Sequence, residues 1–391
     1  FAPGRRLGAA MAATAVVVMT LATPAYAADA SGVYADMSVS GSSGAFTGSA
    51  DMAAAGFPSA RVTSDATSVK APSGQSAFQG PATPVGEVYG SSRGDSYLNI
   101  STAKGVSTST TTLDFDTATP AANWAFVLGD IDADTVEISG IDADGNAISA
   151  ADLGFEGVYN YCAVAPKPSG CTGPGPFTDV PTWHPGSSTL TGNGPDTLGA
   201  AGWFQPKVAV KSLTFKFTAL TGIPVYQLWL TTLAVPVETT VGGVTPDNPV
   251  PAPGVEVDLL ESDATTPVTE PDGKPVTAIA DPSGHVEIPA VADGDYVLKI
   301  VPPKHVRASG KTTIAITVDV TKGSPKIPSG TFRLVVPLQL AKTGANATPA
   351  IAAGAALLVL GGILIWLSAA FGRRPRRTPI GGDVKNLPES G

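Results

Sequence analysis

The chain has 391 residues, with 24 Lys+Arg against 33 Asp+Glu and a formal net charge of −9. That balance, with three His, excludes a nucleic-acid binder, which needs a basic face against phosphate. Apolar residues make 43%, enough for a sizeable core. Charged residues make only 15%, against roughly 25% in soluble domains, so some segments must be more apolar than a globular domain is.

The first of these is N-terminal. Arg5-Arg6 precede an apolar run over Leu7–Leu21, followed by Thr23-Pro24-Ala25-Tyr26-Ala27-Ala28. A basic start, a short apolar run and small residues at Ala25 and Ala27 predict a secretory signal peptide over 1–27, cleaved between Ala27 and Ala28. The run is short for a membrane anchor and is broken by Pro24.

From Ala28 onward no segment shows helical period. Short runs of Val, Ile, Thr and aromatics stand between Gly, Pro, Asp and Asn. Strands are predicted at Leu113–Phe115, Trp124–Leu128, Thr135–Ile141, Val208–Ala219, Val225–Leu233, Val255–Glu261, His285–Pro289, Tyr296–Val301, Thr312–Val318 and Thr331–Val336. Ser212-Leu213-Thr214-Phe215-Lys216-Phe217 alternates with period two, as a half-buried strand does. Turn dipeptides recur at Asp144-Gly145, Asp272-Gly273, Ser283-Gly284 and Asp293-Gly294. The fold class is all-β: two β-sandwich domains joined by a Pro-rich linker. The first domain, 28–236, is one large sandwich or two small ones, and its Ala/Ser/Gly-rich start to about Pro84 shows no clear strand boundaries.

Several motifs in 28–236 bear on function. Arg93-Gly94-Asp95 matches the tripeptide that integrins read and equally suits a turn between strands. Asp130, Asp132 and Asp134 alternate, so in a strand they would share one face, where a Ca²⁺ ion would relieve their repulsion. EF-hand spacing fails, because the sixth position from Asp130 is Thr135 and the twelfth is Ile141. The other reading is a solvated strand end followed by a hairpin turn at Asp144-Gly145. Cys162 and Cys171, the only cysteines, are expected to close a disulfide in an exported chain. Trp183-His184 and Gly202-Trp203-Phe204 offer aromatics either to a sugar ring or to the core. His184, His285 and His305 stand isolated in sequence, and no nucleophile elbow, phosphate loop or zinc-protease motif is present, so no enzyme is expected.

Residues 237–253 contain Gly242-Gly243, Pro246, Pro249, Pro251 and Pro253, the composition of a semi-rigid linker. Beyond it, Gly254–Leu259 opens a strand, Ala280–Ile288 carries a turn and a second strand, and Ala290-Val291-Ala292-Asp293-Gly294-Asp295-Tyr296-Val297-Leu298 closes a hairpin. This pattern over 254–338 resembles the prealbumin-like (Cna B-type) stalk modules of Gram-positive adhesins and pilins, and implies a spacer sandwich. Some members of that family carry an internal Lys–Asn isopeptide bond. Here Val255–Glu261 has no Lys and Thr331–Val336 has no Asn, so none is expected.

The second apolar excess lies at the C-terminus. Leu340-Ala341-Lys342-Thr343-Gly344 precedes an apolar run over about 350–371, and Arg373, Arg374, Arg376 and Arg377 follow it. Some 22 apolar residues make a helix of roughly 33 Å, the thickness of a bilayer core. The Arg cluster acts as a stop-transfer and places the tail 378–391 in the cytoplasm. The three parts together, 340–377, resemble the sorting signal of Gram-positive surface proteins, Leu-Pro-any-Thr-Gly before an apolar helix and basic residues. The resemblance implies that a sortase cuts Thr343–Gly344 through a thioacyl intermediate, and that an amine of a peptidoglycan precursor then takes the Thr343 carboxyl. Until then the helix tethers the chain as a single-pass membrane precursor. Ala341 stands where the commonest signal has Pro, a variant that resembles signals served by a sortase class of high-GC actinobacteria.

The segments removed or left behind, 1–27 and 344–391, hold 7 basic and 2 acidic residues, so 28–343 keeps 17 basic and 31 acidic residues, a net −14. The chain is therefore expected to be secreted, then fixed to the cell wall, displaying an acidic β-sandwich for adhesion or for binding a host or environmental glycan or protein. The alternative is a structural coat or pilus-like component with no specific ligand. A surface enzyme acting on carbohydrate ranks third.

Overall fold

A computed structural model describes residues 30–335, except 104–106, 223, 246, 247 and 305. The signal peptide, Leu340–Gly344, the apolar run 350–371, the Arg cluster and His305 lie outside the described residues. The first strands are β1 Ser31–Tyr34, β2 Asp36–Ser42, β3 Ala45–Asp51, β4 Ala60–Ser64 and β5 Ser68–Lys70, followed by one short helix, α1 Pro84–Tyr89. Next come β6 Leu98–Ser101, β7 Thr108–Phe115, β8 Trp124–Gly129, β9 Asp134–Asp142, β10 Phe155–Asn160, β11 Thr182–His184, β12 Thr189–Thr191, β13 Ala200–Phe204 and β14 Val210–Ala219. A long strand, β15 Val225–Thr245, leads into β16 Asn248–Pro251, β17 Glu256–Glu261, β18 Thr277–Ile279, β19 His285–Ala292 and β20 Gly294–Val301. The described residues close with β21 Arg307–Ala308, β22 Thr313–Val318 and β23 Phe332–Val335. The all-β expectation holds, and every predicted strand coincides with one of these.

Alternation decides how the first sandwich packs. In β14, Leu213, Phe215, Phe217 and Ala219 are buried, while Lys216 between them is exposed. The sheet β11-β12-β9-β14-β7-β4-β3-β2 turns these residues onto a second sheet in the order β10-β13-β8-β15. Phe126 of β8 stacks on Phe204 of β13 at 4.7 Å between ring centroids and meets Phe215 of β14 edge-on at 5.6 Å. All six residues of β8 are buried, because both its faces are covered. Trp124, Phe126 and Leu128 enter the core between the sheets, whereas Ala125 and Val127 join an outer layer with Tyr89 of α1, Tyr97, Tyr161 and Trp229.

β15 carries the chain out of this sandwich. Its 21 residues span roughly 70 Å at strand rise. Gln227–Thr232 pair with β8, Val225–Leu228 with β6 and Thr231–Ala234 with β1. Further along, Ala234–Thr240 pair with β19, and Val241–Val244 run parallel to β23. Residues 237–245 are thus strand, where composition pointed to a linker. Pro236 explains how: at the Val235/Val237 register shift, one residue of β15 opposes Pro289 and Ala290 of β19. A bulge is where a strand tolerates a residue without an N–H.

The second module packs β18-β17-β20-β22 over the far half of β15, β19 and β23, burying Val257, Leu259, Ile288, Leu298, Ile316 and Phe332. The Asp293–Tyr296 turn, the residues that carried the family resemblance, sits at the junction. Asp293 accepts from the Asn123 side chain of the first sandwich and, through Oδ1, from the Val320 N–H of the second module at 2.8 Å. The Tyr296 hydroxyl donates to the Ala292 carbonyl at 3.1 Å. Gly56 lies against that hydroxyl with φ +84°, and a Cβ there would fall 1.9 Å from it. The Ala55 N–H donates to the Ala290 carbonyl at 2.9 Å, and the Ala292 N–H returns a bond to the Ala55 carbonyl at 2.9 Å.

Candidate functional site: an acidic corner beside the disulfide

The chain turns sharply between β8 and β9, with Asp130 and Asp132 in the turn and Asp134 opening β9. Asp130 has φ +62°, a left-handed conformation that Asp tolerates better than most residues. Ile131 and Ala133 point into the core at 0% exposure. The expected arrangement on one strand face is therefore replaced by a corner. The expectation of a solvated strand end fails as well, since Asp132 and Asp134 are 3% and 1% exposed. The turn expected at Asp144-Gly145 is present: the Asp142 carboxylate accepts from the Asp144 and Asn146 N–H groups at 2.9 and 2.8 Å.

The corner is completed from a loop some sixty residues on. One Asp132 oxygen accepts from the Ala133 N–H, and the other accepts from the Thr197 N–H at 2.9 Å and its hydroxyl at 3.1 Å. That hydroxyl also lies 2.7 Å from Asp179 Oδ2. The Gly199 N–H reaches Asp130 at 3.4 Å. Gly199 has φ +86°, and a Cβ there would crowd Asn160 and the Cys162 sulfur at 2.6 and 2.8 Å. Asp134 Oδ1 is buried without a hydrogen-bond partner.

Burial dominates the electrostatics. It lifts Asp134 to about 8, helped by the charges of Asp132, Asp130 and Asp196. It lifts Asp130 to about 7, helped by Asp132 and opposed by the Gly199 N–H. Asp132 is raised by burial too, against the pull of the N–H groups on its oxygens. The shift is largest at Asp134, whose raised value favours its protonated form at neutral pH.

Two open cavities flank the corner and share Leu198. One, about 780 Å³, is lined by Asn160, Phe177, Asp179, Asp196 and Thr197 among others. The other, about 340 Å³, takes in Lys70, Tyr97, Asp130, Tyr161 and Gln227. Tyr161 donates to Gln227 Oε1 at 2.8 Å, and Tyr97 stacks on Trp229 at 5.0 Å. Cys162 and Cys171 form the expected disulfide, with Cα atoms 5.5 Å apart. Their loop is tied down where the Ser169 and Gly170 N–H groups donate to the Gln75 and Ser76 carbonyls.

The other candidates separate. Trp183 stacks on Phe155 at 5.5 Å and meets Phe204 at 5.0 Å, and Trp203 is 7% exposed, so both Trp are committed to packing. Arg93-Gly94-Asp95 forms a turn with Arg93 over the Phe78 ring at 5.8 Å and Asp95 half-buried. Asp130, Asp132 and Asp134 do not bring one oxygen each within 4.8 Å of one another. Among the described residues, the group of three that does is Glu238, His285 and Glu287. His285 is isolated in sequence but not in space, because β15 brings Glu238 beside it.

No protein-family model matches the chain. No curated protein matches it. Among solved structures, it is similar to GBS52, a minor pilin of Streptococcus agalactiae, at 22% identity and TM-score 0.23, covering 28% of this chain and 48% of that one. It is also similar to BcpA, the major pilin subunit of Bacillus cereus, at 11% identity and TM-score 0.22, covering 71% of each. The major pilin SpaD of Corynebacterium diphtheriae matches at 13% identity and TM-score 0.19, covering 58% of this chain and 62% of that one. The chain thus spans about half the length of the minor pilin. Likeness at this level assigns no function.

Proposed function

We propose that the chain is a cell-wall-anchored surface protein that displays its first sandwich outward on the second as a spacer, for adhesion or ligand binding. The observation that carries this reading is the order at the C-terminus. The second module ends at β23, Leu340–Gly344 follows within a few residues, and an apolar run and four Arg come after. A sortase would cut after Thr343 and pass its carboxyl to a peptidoglycan amine, while 350–371 holds the precursor in the membrane. A strand shared by both modules supports the spacer role, because it gives the junction a ladder of hydrogen bonds. The cavities beside the acidic corner are where a ligand of the first sandwich would sit.

The structural reading, a coat or pilus-like component without a ligand, is favoured by one observation: Trp203 is buried and Trp183 is half-buried against Phe155, which leaves little aromatic surface for sugar stacking. Two experiments separate these readings. Thr343→Ala should move the protein from the covalently bound, detergent-washed wall to the membrane fraction, and continued covalent attachment would refute sortase anchoring. A glycan and matrix-protein array probed with the exported chain should then show a hit that weakens on Thr197→Ala or Asp179→Asn. Uniformly blank arrays would favour the structural component.

A further inference from the structure

β15 and β19 place two carboxylates and an imidazole together on the solvent side of the second module. Glu238 is paired directly with Glu287 across the ladder, and His285 lies two residues before Glu287, on the same face. Direct cross-strand neighbours have Cβ atoms about 4.5–5.5 Å apart, and like charges there repel. Ordinary sheet design would put an opposite charge at one of the two positions. Here both are acids, and the third neighbour is a histidine.

The ligand atoms of Glu238, His285 and Glu287 all lie within 4.8 Å of one another. Three atoms so spaced leave a point no more than about 2.8 Å from each, which small rotamer changes bring to the roughly 2.0–2.2 Å of zinc–nitrogen and zinc–oxygen bonds. Among the described residues, no hydrogen bond or ion pair occupies these three side chains. The backbone beneath them is well held. The His285 N–H donates to Asp281 Oδ1 at 2.9 Å, and the Val241 N–H donates to the Gly284 carbonyl at 2.8 Å. Both Glu are exposed and His285 is half-buried, so an ion can reach the group from solvent.

We infer that Glu238, His285 and Glu287 form a surface site for a divalent transition-metal ion of the zinc class. The donor set decides the class: an imidazole nitrogen suits zinc and its neighbours, whereas calcium and magnesium take oxygen donors alone. Three protein ligands leave a fourth position for water or for a donor from another molecule. The bound cation also cancels the repulsion between Glu238 and Glu287, so metal binding stabilises the β15–β19 ladder that joins the modules.

The test is calorimetric titration of zinc sulfate into the full chain, carrying no polyhistidine tag, near neutral pH. The expected result is one saturable zinc per chain. His285→Ala should abolish it, and Glu238→Gln and Glu287→Gln should each weaken it roughly tenfold or more. Zinc should raise the melting temperature of the wild type but not of His285→Ala, while His184→Ala behaves as wild type. Unchanged melting of the variants in chelator separates a lost ligand from a lost fold. Absence of saturable zinc binding, unaltered binding in His285→Ala, or calcium binding equally well at this site would each overturn the inference.

Discussion

Asp134 and Asp130 hold carboxyls where water does little to solvate a charge, and stability should follow their protonation. Both take up protons near 4 when unfolded, but at about 8 and 7 in the fold. Between those limits the folded state binds more protons than the unfolded one, so stability falls as pH rises through 7 and 8. Calorimetric melting from about pH 5 to about pH 8.5 should show this decline, and Asp134→Asn should flatten it and raise the melting temperature at the alkaline end. A profile unchanged in Asp134→Asn would contradict the assignment. Millimolar Ca²⁺ supplies the competing outcome: a rise in melting temperature near pH 8.5 that Asp134→Asn removes would assign these carboxylates to calcium. Asp293 is the second residue with a definite expectation. Asp293→Ala strips acceptors from Asn123 and the Val320 N–H, and should cost about 1–3 kcal/mol in chemical denaturation. The three Asp were legible in the sequence as a cluster, but their geometry was not. Alternation implies a shared face only inside a strand, and Asp130 leaves the strand by taking a positive φ. Asp179 and Thr197 are illegible as partners, because they come from two loops, β10–β11 and β12–β13, and nothing local to either signals that both return to the corner.

At the scale of elements, β15 governs how the modules behave. Val225–Leu233 is legible as strand from its β-branched and aromatic residues, and the continuation past Pro236 is not, because proline ends most strands. The bulge opposite Pro289–Ala290 lets this one continue. β14 was fully legible, since one buried face leaves a clean alternation. β1 to β4 were not, because they fill the core with small residues such as Ala50 and Ala60 amid Ser and Gly, without a hydrophobic run. If the ladder couples the modules, Thr239→Pro should remove a bond in the middle of the β15–β19 pairing and split one melting transition into two. A single transition with both modules melting together would show that coupling lies elsewhere. The disulfide is a smaller element-level contribution. Its nine-residue separation corresponds to about 2–3 kcal/mol of loop entropy, so the Cys162→Ser/Cys171→Ser pair should lose that much while keeping the fold.

At the scale of the whole molecule, the acidic charge and the apolar excess separate along the sequence: residues 28–343 carry a net −14, while the apolar runs lie in 7–21 and 350–371, the segments proposed as processing signals. That charge suits display in water and disfavours contact with anionic wall polymers, which is consistent with the covalent link proposed at Thr343. The proposed link is chemically specific, and so is its test. Wall-bound protein should be released with a peptidoglycan hydrolase, digested and analysed by mass spectrometry. The account predicts a C-terminal peptide ending at Thr343 with its carboxyl in amide linkage to a peptidoglycan fragment, and nothing from Gly344 onward. A surface protein that still carries residues beyond Gly344 and is extracted by detergent alone would contradict it.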